Sequence, residues 1–103
     1  MKSLNLIISC AVVALLAAGG VLASEDLSRK NGCAACHGAD KKIVGPSWKD
    51  VAAKYKGDAR AADNLAAKVK AGGKGAWGAV PMPPQTKVSD ADLKTIIAWI
   101  LAR

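Results

Sequence analysis

Apolar residues recur along this chain with the spacing of helices, most clearly near its C-terminus. There, Ser89 is followed by two aspartates and then by an apolar face that continues to the end of the chain. That face comprises Leu93, Ile96, Ile97, Ile100 and Leu101. A serine cap, an acidic first turn and apolar positions three and four residues apart are typical of an amphipathic helix.

Three further helices are predicted upstream, and a glycine ends each of them. The first extends from Ser24, as its cap, to about Gly32. The second starts at Pro46, after the breaker Gly45, and is stopped by Gly57. The third covers residues 58–71, with Asp58 as its cap. Its apolar stripe consists of Ala62, Leu65, Ala66 and Val69. Because no segment alternates as a strand does, the pattern predicts an all-α fold.

The segment GGKGAWGAVPMPPQTKV separates the last two predicted helices and has no periodicity. A loop of this length in a compact domain is usually either functional or disordered. Prolines flank Met82 on both sides, and each proline fixes its own φ and restricts the residue before it. The segment is therefore predicted to present Met82 on a stiff, extended loop.

The N-terminus has the pattern of a signal peptide: Lys2, a long apolar run and small residues at the end. Cys10 lies early in that run, whereas a lipid-modified cysteine would close it. An uncleaved anchor is the remaining alternative, since the run is just long enough to span a bilayer. We predict cleavage after Ala23, which makes residues 1–23 a Sec signal peptide and residues 24–103 an exported, periplasmic domain.

Cleavage removes Cys10 and Met1, which simplifies the chemistry of the mature chain. Cys33 and Cys36 become its only thiols, and Met82 becomes its only methionine. The mature domain contains 80 of the 103 residues and no phenylalanine. Domains this small usually need a disulfide, a metal or another additional stabiliser. A large apolar cofactor could supply the missing core.

The sequence CAACH, residues 33–37, allows several interpretations. A thioredoxin-like redox pair belongs in a βαβ unit, which this chain lacks. Zinc needs four ligands, and only three good ones are present. A structural disulfide explains the cysteines but leaves the core small. Covalent haem attachment is the specific meaning of C-x-x-C-H, because Cys33 and Cys36 face one side of a helical turn and can both reach one porphyrin edge.

His37 then becomes one axial ligand of the haem iron, and the other must come from elsewhere. The possible sixth ligands are Met82, a lysine, Tyr55 or an empty position. Met82 is favoured because Met/His ligation is typical of electron-transfer haem and raises its reduction potential. A lone methionine often only fills a core, but Met82 lies in a proline-rich loop. These residues predict a one-electron carrier; the alternative is a haem protein with an open sixth position that acts in ligand binding or peroxidatic chemistry.

The chain resembles the small class I bacterial cytochromes c of the c-551 type. The resemblance covers residues 25–103 and is carried by CAACHGADKKIVGPSWKDVAAKYKG, GGKGAWGAVPMPP and LKTIIAWILA. It implies about four short helices wrapped around one covalently attached haem c, and an electron-transfer protein rather than an enzyme.

The resemblance also implies roles for individual residues. Pro46 would accept a hydrogen bond from His37 Nδ1 through its carbonyl, and Trp77 would donate its indole N–H to a haem propionate. Trp99 would pack the last helix beneath the haem against the first. Two features depart from the family pattern. Ser28 stands where many relatives have an aromatic or other apolar residue, and Gln85-Thr86 follows the prolines where an asparagine often helps to hold the methionine sulfur.

The formal net charge is +7, and it falls to +6 when Lys2 is removed. The lysines that we expect around an exposed haem edge are Lys41, Lys42, Lys49, Lys54, Lys56, Lys74 and Lys87. Such a field steers acidic redox partners into encounter. Relatives suggest a quinol-oxidising cytochrome complex as donor and a nitrite reductase, oxidase or peroxidase as acceptor. We expect a monomer without a permanent membrane anchor and without a role in nucleic-acid binding.

Overall fold

The structure is a computed structural model that describes residues 23–103. Within that range the chain forms four helices: α1 at residues 23–30, α2 at Trp48–Lys54, α3 at Ala61–Ala71 and α4 at Asp90–Leu101. One 3₁₀ turn, Cys33–Ala35, follows α1. Only two isolated β-bridges occur among these residues. The predicted all-α fold is therefore confirmed.

The N-terminal prediction falls mostly on residues 1–22, which lie outside the described residues. Cleavage after Ala23 therefore stays a prediction. In the described part of the chain, no helix is long and apolar enough to cross a bilayer.

Serine side chains cap α2 and α4. Ser89 Oγ accepts a hydrogen bond from the backbone N–H of Asp92 at 3.1 Å, as the sequence pattern predicts. Ser47 Oγ accepts the equivalent bond from Asp50 N–H at 3.1 Å. Both contacts satisfy one of the amide donors that a helix start leaves without a partner. Ser47 is fully buried, so its cap also fixes where α2 enters the core.

The prediction that Pro46 starts α2 is wrong. The helix begins at Trp48 because the Ser47 side chain caps it, and Pro46 precedes that cap.

Two further helix-start predictions differ from the structure. In α1, residue 23 is already helical, so Ser24 lies inside the helix rather than capping it. In α3, the helix begins three residues after Asp58 because Asp58 first closes a turn. Its carboxylate accepts from Arg60 N–H at 2.9 Å, and its carbonyl accepts from Ala61 N–H at 3.2 Å. Ala61 is consequently the buried alanine of the first turn, whereas Ala62 is exposed.

The core forms where α4 packs against α2 and α3. Its buried apolar residues are Trp48, Val51, Val88, Leu93, Ile96, Ile97 and Ile100. Leu27 of α1 packs against this cluster, while the neighbouring Ser28 is 2% exposed and donates its hydroxyl to Glu25 O at 2.8 Å. The helix therefore accommodates the polar residue at position 28 by satisfying it internally.

Candidate haem-binding site

A cavity of about 370 Å³ lies between α4 and the loops on either side of α2 and α3. Buried side chains of α4 form an apolar wall: Leu93, Ile96, Ile97 and Ile100. The exposed residues Val44, Trp77 and Val80 also line the cavity, so it reaches the surface. All six residues that the sequence assigns to the site line it: Cys33, Cys36, His37, Pro46, Trp77 and Met82.

The 3₁₀ turn places the two cysteines at the cavity. Gly32 enters the turn with φ 78°, and His37 N–H then bonds Cys33 O at 3.0 Å. Within the part of the chain that the structure describes, neither cysteine forms a disulfide. Burial raises the pKa of the Cys33 thiol because desolvation disfavours the thiolate. A backbone hydrogen bond lowers the same pKa, but by less. Since a thioether carries no ionisable proton, bonding to a haem vinyl group suits this buried sulfur.

His37 is oriented by its contact with Pro46. Its Nδ1 lies 2.7 Å from Pro46 O. A carbonyl oxygen can only accept, so Nδ1 donates its hydrogen to Pro46 O, and Nε2 is the ring nitrogen left to bind a metal. Carbonyl contacts of this kind orient metal-bound histidines and raise their basicity.

The backbone and an indole confine the same imidazole. A Cβ at Gly45 would lie 2.7 Å from His37 Cε1, so the glycine permits this close approach. Trp48 stacks on the ring with centroids 4.6 Å apart and planes 15° apart. Trp99 meets Trp48 edge-on at 6.2 Å. The sequence did not predict the role of Gly45 or of Trp48, because both depend on how the chain folds back over His37.

We call residues 72–84 the methionine loop. Met82 is half-buried, and its backbone pairs with Gly73: Met82 N–H donates to Gly73 O at 2.8 Å, and Gly73 N–H donates to Met82 O at 3.0 Å. Gly72 has φ 71°, and a Cβ there would lie 2.7 Å from Met82 O. The end of α3 and the loop thus place Met82 at the cavity through backbone contacts.

The glutamine that departs from the family pattern lies just beyond this loop. Gln85 N–H donates to Val69 O at 3.0 Å, and its side-chain amide donates to Pro83 O at 2.9 Å. The residue therefore ties the end of the loop to α3 and to the second proline.

Trp77 lies at the mouth of the cavity with 40% of its surface exposed. Lys54, in the last turn of α2, lies above it: Nζ is 4.4 Å from the centroid of an indole ring. The same ammonium donates to Ala76 O at 2.8 Å. The sequence placed Lys54 only among the surface lysines, and nothing in the local pattern indicates this contact.

These features fit a haem c. Two thiols line one cavity with an imidazole whose Nε2 is available, a thioether sulfur and an apolar helix face. Among residues 23–103, no three histidine, cysteine, aspartate or glutamate side chains are grouped as a metal site would require.

Comparisons with known proteins show which family the chain belongs to. The cytochrome c family profile matches residues 22–103. Cytochrome c-551 of Allochromatium vinosum is 54% identical over 91 residues, covering 88% of this chain and 97% of that protein. Cytochrome c-552 of Nitrosomonas europaea is 53% identical over 91 residues, covering 88% of each.

Solved structures show the same similarity. The crystal structure of wild-type Nitrosomonas europaea cytochrome c552 matches with a TM-score of 0.73 and 53% identity, over 75% of this chain and 95% of that one. The class 1 cytochrome MtoD from Sideroxydans lithotrophicus ES-1 matches with a TM-score of 0.66 and 37% identity, over 80% of this chain and 94% of that one.

Fold, motif and cavity together define a small class I monohaem cytochrome c. The chain belongs to the cytochrome c family and carries one haem c, attached covalently through Cys33 and Cys36. It is a haem electron carrier rather than an enzyme.

Proposed function

We propose that this cytochrome is a periplasmic one-electron carrier whose haem iron is bound axially by His37 Nε2 and Met82 Sδ. One observation carries the proposal: both residues line the cavity that the two cysteines also line. The bound haem supplies a ferrous/ferric couple, and Met/His ligation places its potential in the range used by electron carriers.

The protein's own contribution is to hold both ligands in place. His37 is bonded to Pro46, and Met82 is paired with Gly73 and flanked by prolines. A ligand that stays in place when the iron changes charge keeps the structural rearrangement small, which favours fast electron transfer. We assign Pro46 the role of orienting His37 and Trp77 that of donating its indole N–H to a haem propionate.

Ligand binding and visible spectroscopy test the axial assignment. We expect the purified oxidised protein to show the near-red charge-transfer band of Met–iron ligation. We expect the reduced protein not to bind carbon monoxide unless it is denatured. Rapid carbon monoxide binding by the native ferrous protein would instead support the open-position alternative and refute Met82 as a ligand.

The surface suits acidic redox partners. Three apolar side chains are exposed to solvent: Ile43, Val44 and Val80. Two lysines, Lys42 and Lys74, line the cavity. Exposed apolar residues allow a partner to approach the haem closely, and the surrounding lysines steer an acidic partner toward them. We propose a quinol-oxidising cytochrome complex as donor and a nitrite reductase, oxidase or peroxidase as acceptor, each docking through an acidic surface. The protein acts as a monomer, with no permanent membrane anchor and no nucleic-acid partner.

Export is the last part of the proposal, and it rests on the N-terminal sequence pattern. We expect the mature protein to be found in the periplasmic fraction and to begin at Ser24. Intact-mass measurement of the haem-bearing protein tests this directly. A mass that includes residues 1–23 would indicate a retained anchor.

A further inference from the structure

We propose that Lys54 is a positioning residue that latches the methionine loop to α2 and holds the Trp77 indole in place at the haem edge. The functional part of this inference rests on the propionate role proposed for Trp77. The structural part rests on contacts within the chain.

Lys54 makes two contacts with adjacent residues of the methionine loop. Its Nζ donates to Ala76 O at 2.8 Å and lies 4.4 Å from the centroid of a Trp77 ring. The first contact fixes the backbone of the loop, and the second covers the indole face. A hydrogen bond from a charged donor and a cation–π contact each stabilise the groups that they join. Together they define one position for the Trp77 side chain.

The loop has little else to hold this region. Gly75 N–H donates to Gly78 O at 2.9 Å, closing a turn that carries Ala76 and Trp77. Both glycines have positive φ, 102° and 115°, so the turn has unusual backbone freedom when it opens. Among residues 23–103, the Lys54 bond is the only hydrogen bond that joins residues 75–78 to a helix. Trp77 is 40% exposed, so burial alone does not immobilise it.

No carboxylate of the described residues forms an ion pair with Lys54. The ion pairs within the described range are Arg29–Glu25 and Lys70–Asp90, and neither includes Lys54. Its ammonium therefore places a positive charge beside the Trp77 indole. Because oxidation adds a positive charge to the haem, a nearby cation disfavours the ferric state and raises the reduction potential. We therefore expect Lys54 to affect the reduction potential of the haem, in contrast to lysines that only steer partners.

Lys56 is a matched control for Lys54. It lies two residues further along, is exposed, and its side chain makes no hydrogen bond or ion pair in the described structure. Lys54→Met and Lys56→Met remove the same charge from nearly the same region while keeping an aliphatic side chain. Lys54→Arg keeps the charge and a donor that can stack on the indole.

Hydrogen exchange of the haem-bearing protein, followed by NMR, tests the latch. In Lys54→Met, we expect the Gly75 amide and the Trp77 indole N–H to exchange about tenfold faster, the ratio that corresponds to a loss of ~1.4 kcal/mol. Lys56→Met should exchange at the wild-type rate, and Lys54→Arg should recover most of the protection. Equal exchange in Lys54→Met and Lys56→Met would overturn the proposal.

The reduction potential separates this inference from the role assigned to Trp77. We expect the potential of Lys54→Met to fall further than that of Lys56→Met, and we expect Lys54→Arg to restore it. If Trp77→Phe leaves the potential unchanged, the propionate role fails. The latch is still judged by the exchange of the Gly75 amide in Lys54→Met, which does not depend on the propionate.

Discussion

The imidazole of His37 lies face to face with the indole of Trp48, with ring centroids 4.6 Å apart and planes 15° apart. The hydrogen bond from Nδ1 to Pro46 O restrains the same imidazole at its edge. A contact at the face and a bond at the edge together restrict both tilt and rotation of the ring. The proposed axial ligand is therefore held by the α2 segment as well as by its position next to Cys36.

Replacing Trp48 tests this arrangement. We expect Trp48→Leu to lower the free energy of unfolding by about 1–3 kcal/mol, since the stack and part of the buried surface are lost while some apolar volume remains. Guanidinium unfolding of the oxidised haem-bearing protein measures the effect. The haem-methyl NMR shifts should also change as the imidazole plane moves.

Trp48→Phe is the matched control for that prediction. It keeps an aromatic face against His37, so the methyl shifts should stay close to wild type although some stability is lost. If both variants leave the shifts unchanged, the indole does not orient the imidazole.

Met82→Ala tests the proposed second axial ligand. We expect the near-red band of the oxidised protein to disappear and the reduced protein to bind carbon monoxide rapidly, because the sixth position then lacks sulfur. The reduction potential should fall by a substantial part of the roughly 0.8 V over which axial ligands tune haem. Val80→Ala removes an exposed side chain from the same loop and should leave the band intact. A band that survives in Met82→Ala would disprove the assignment.

Gly72→Ala tests whether the end of α3 must approach the Met82 backbone closely. A Cβ at position 72 would meet Met82 O at 2.7 Å and Pro84 N at 2.8 Å, on a backbone with φ 71°. Gly57 has φ 79° but no atom within 4 Å of the same hypothetical Cβ. Gly57→Ala should therefore cost about 1–2 kcal/mol from backbone strain alone.

Gly72→Ala should cost about 1–3 kcal/mol more than Gly57→Ala, because backbone atoms cannot move aside as a flexible side chain can. It should also weaken the near-red band by displacing Met82. Thermal unfolding and the visible spectrum of both variants provide the comparison. Equal losses of stability would show that only the φ angle matters.

Charge reversal tests electrostatic steering at the cavity mouth. We expect Lys42→Glu and Lys74→Glu each to slow oxidation by the anion ferricyanide several-fold at low ionic strength, because both lysines line the cavity. Lys94 lies in a separate groove between α3 and α4, so Lys94→Glu should have a smaller effect despite the same change in net charge. Stopped-flow rates over a range of salt concentrations measure the difference, which should shrink as salt screens the charges. Equal slowing by all three variants would indicate a net-charge effect without a local site.

Much of this protein follows from the sequence because the relevant interactions are local. Ser89 caps its helix through an amide three residues away, and C-x-x-C-H places its sulfurs and imidazole through one turn of backbone. For these two features, residue type and spacing are enough. Met82 as the second ligand stays a prediction, which rests on the few candidate ligands that remain once residues 1–23 are set aside.

The tertiary structure alone decided what surrounds those residues. Trp48 stacks on His37 because α2 is placed beside the cysteine turn, and Gly72 meets Met82 because the methionine loop returns to the end of α3. Lys54 reaches Ala76 across 22 positions of sequence. Such contacts depend on how helices pack, and local periodicity contains no information about packing between distant segments. The sequence therefore determined the chemistry available to the site, and the fold determined which side chains hold that chemistry in place.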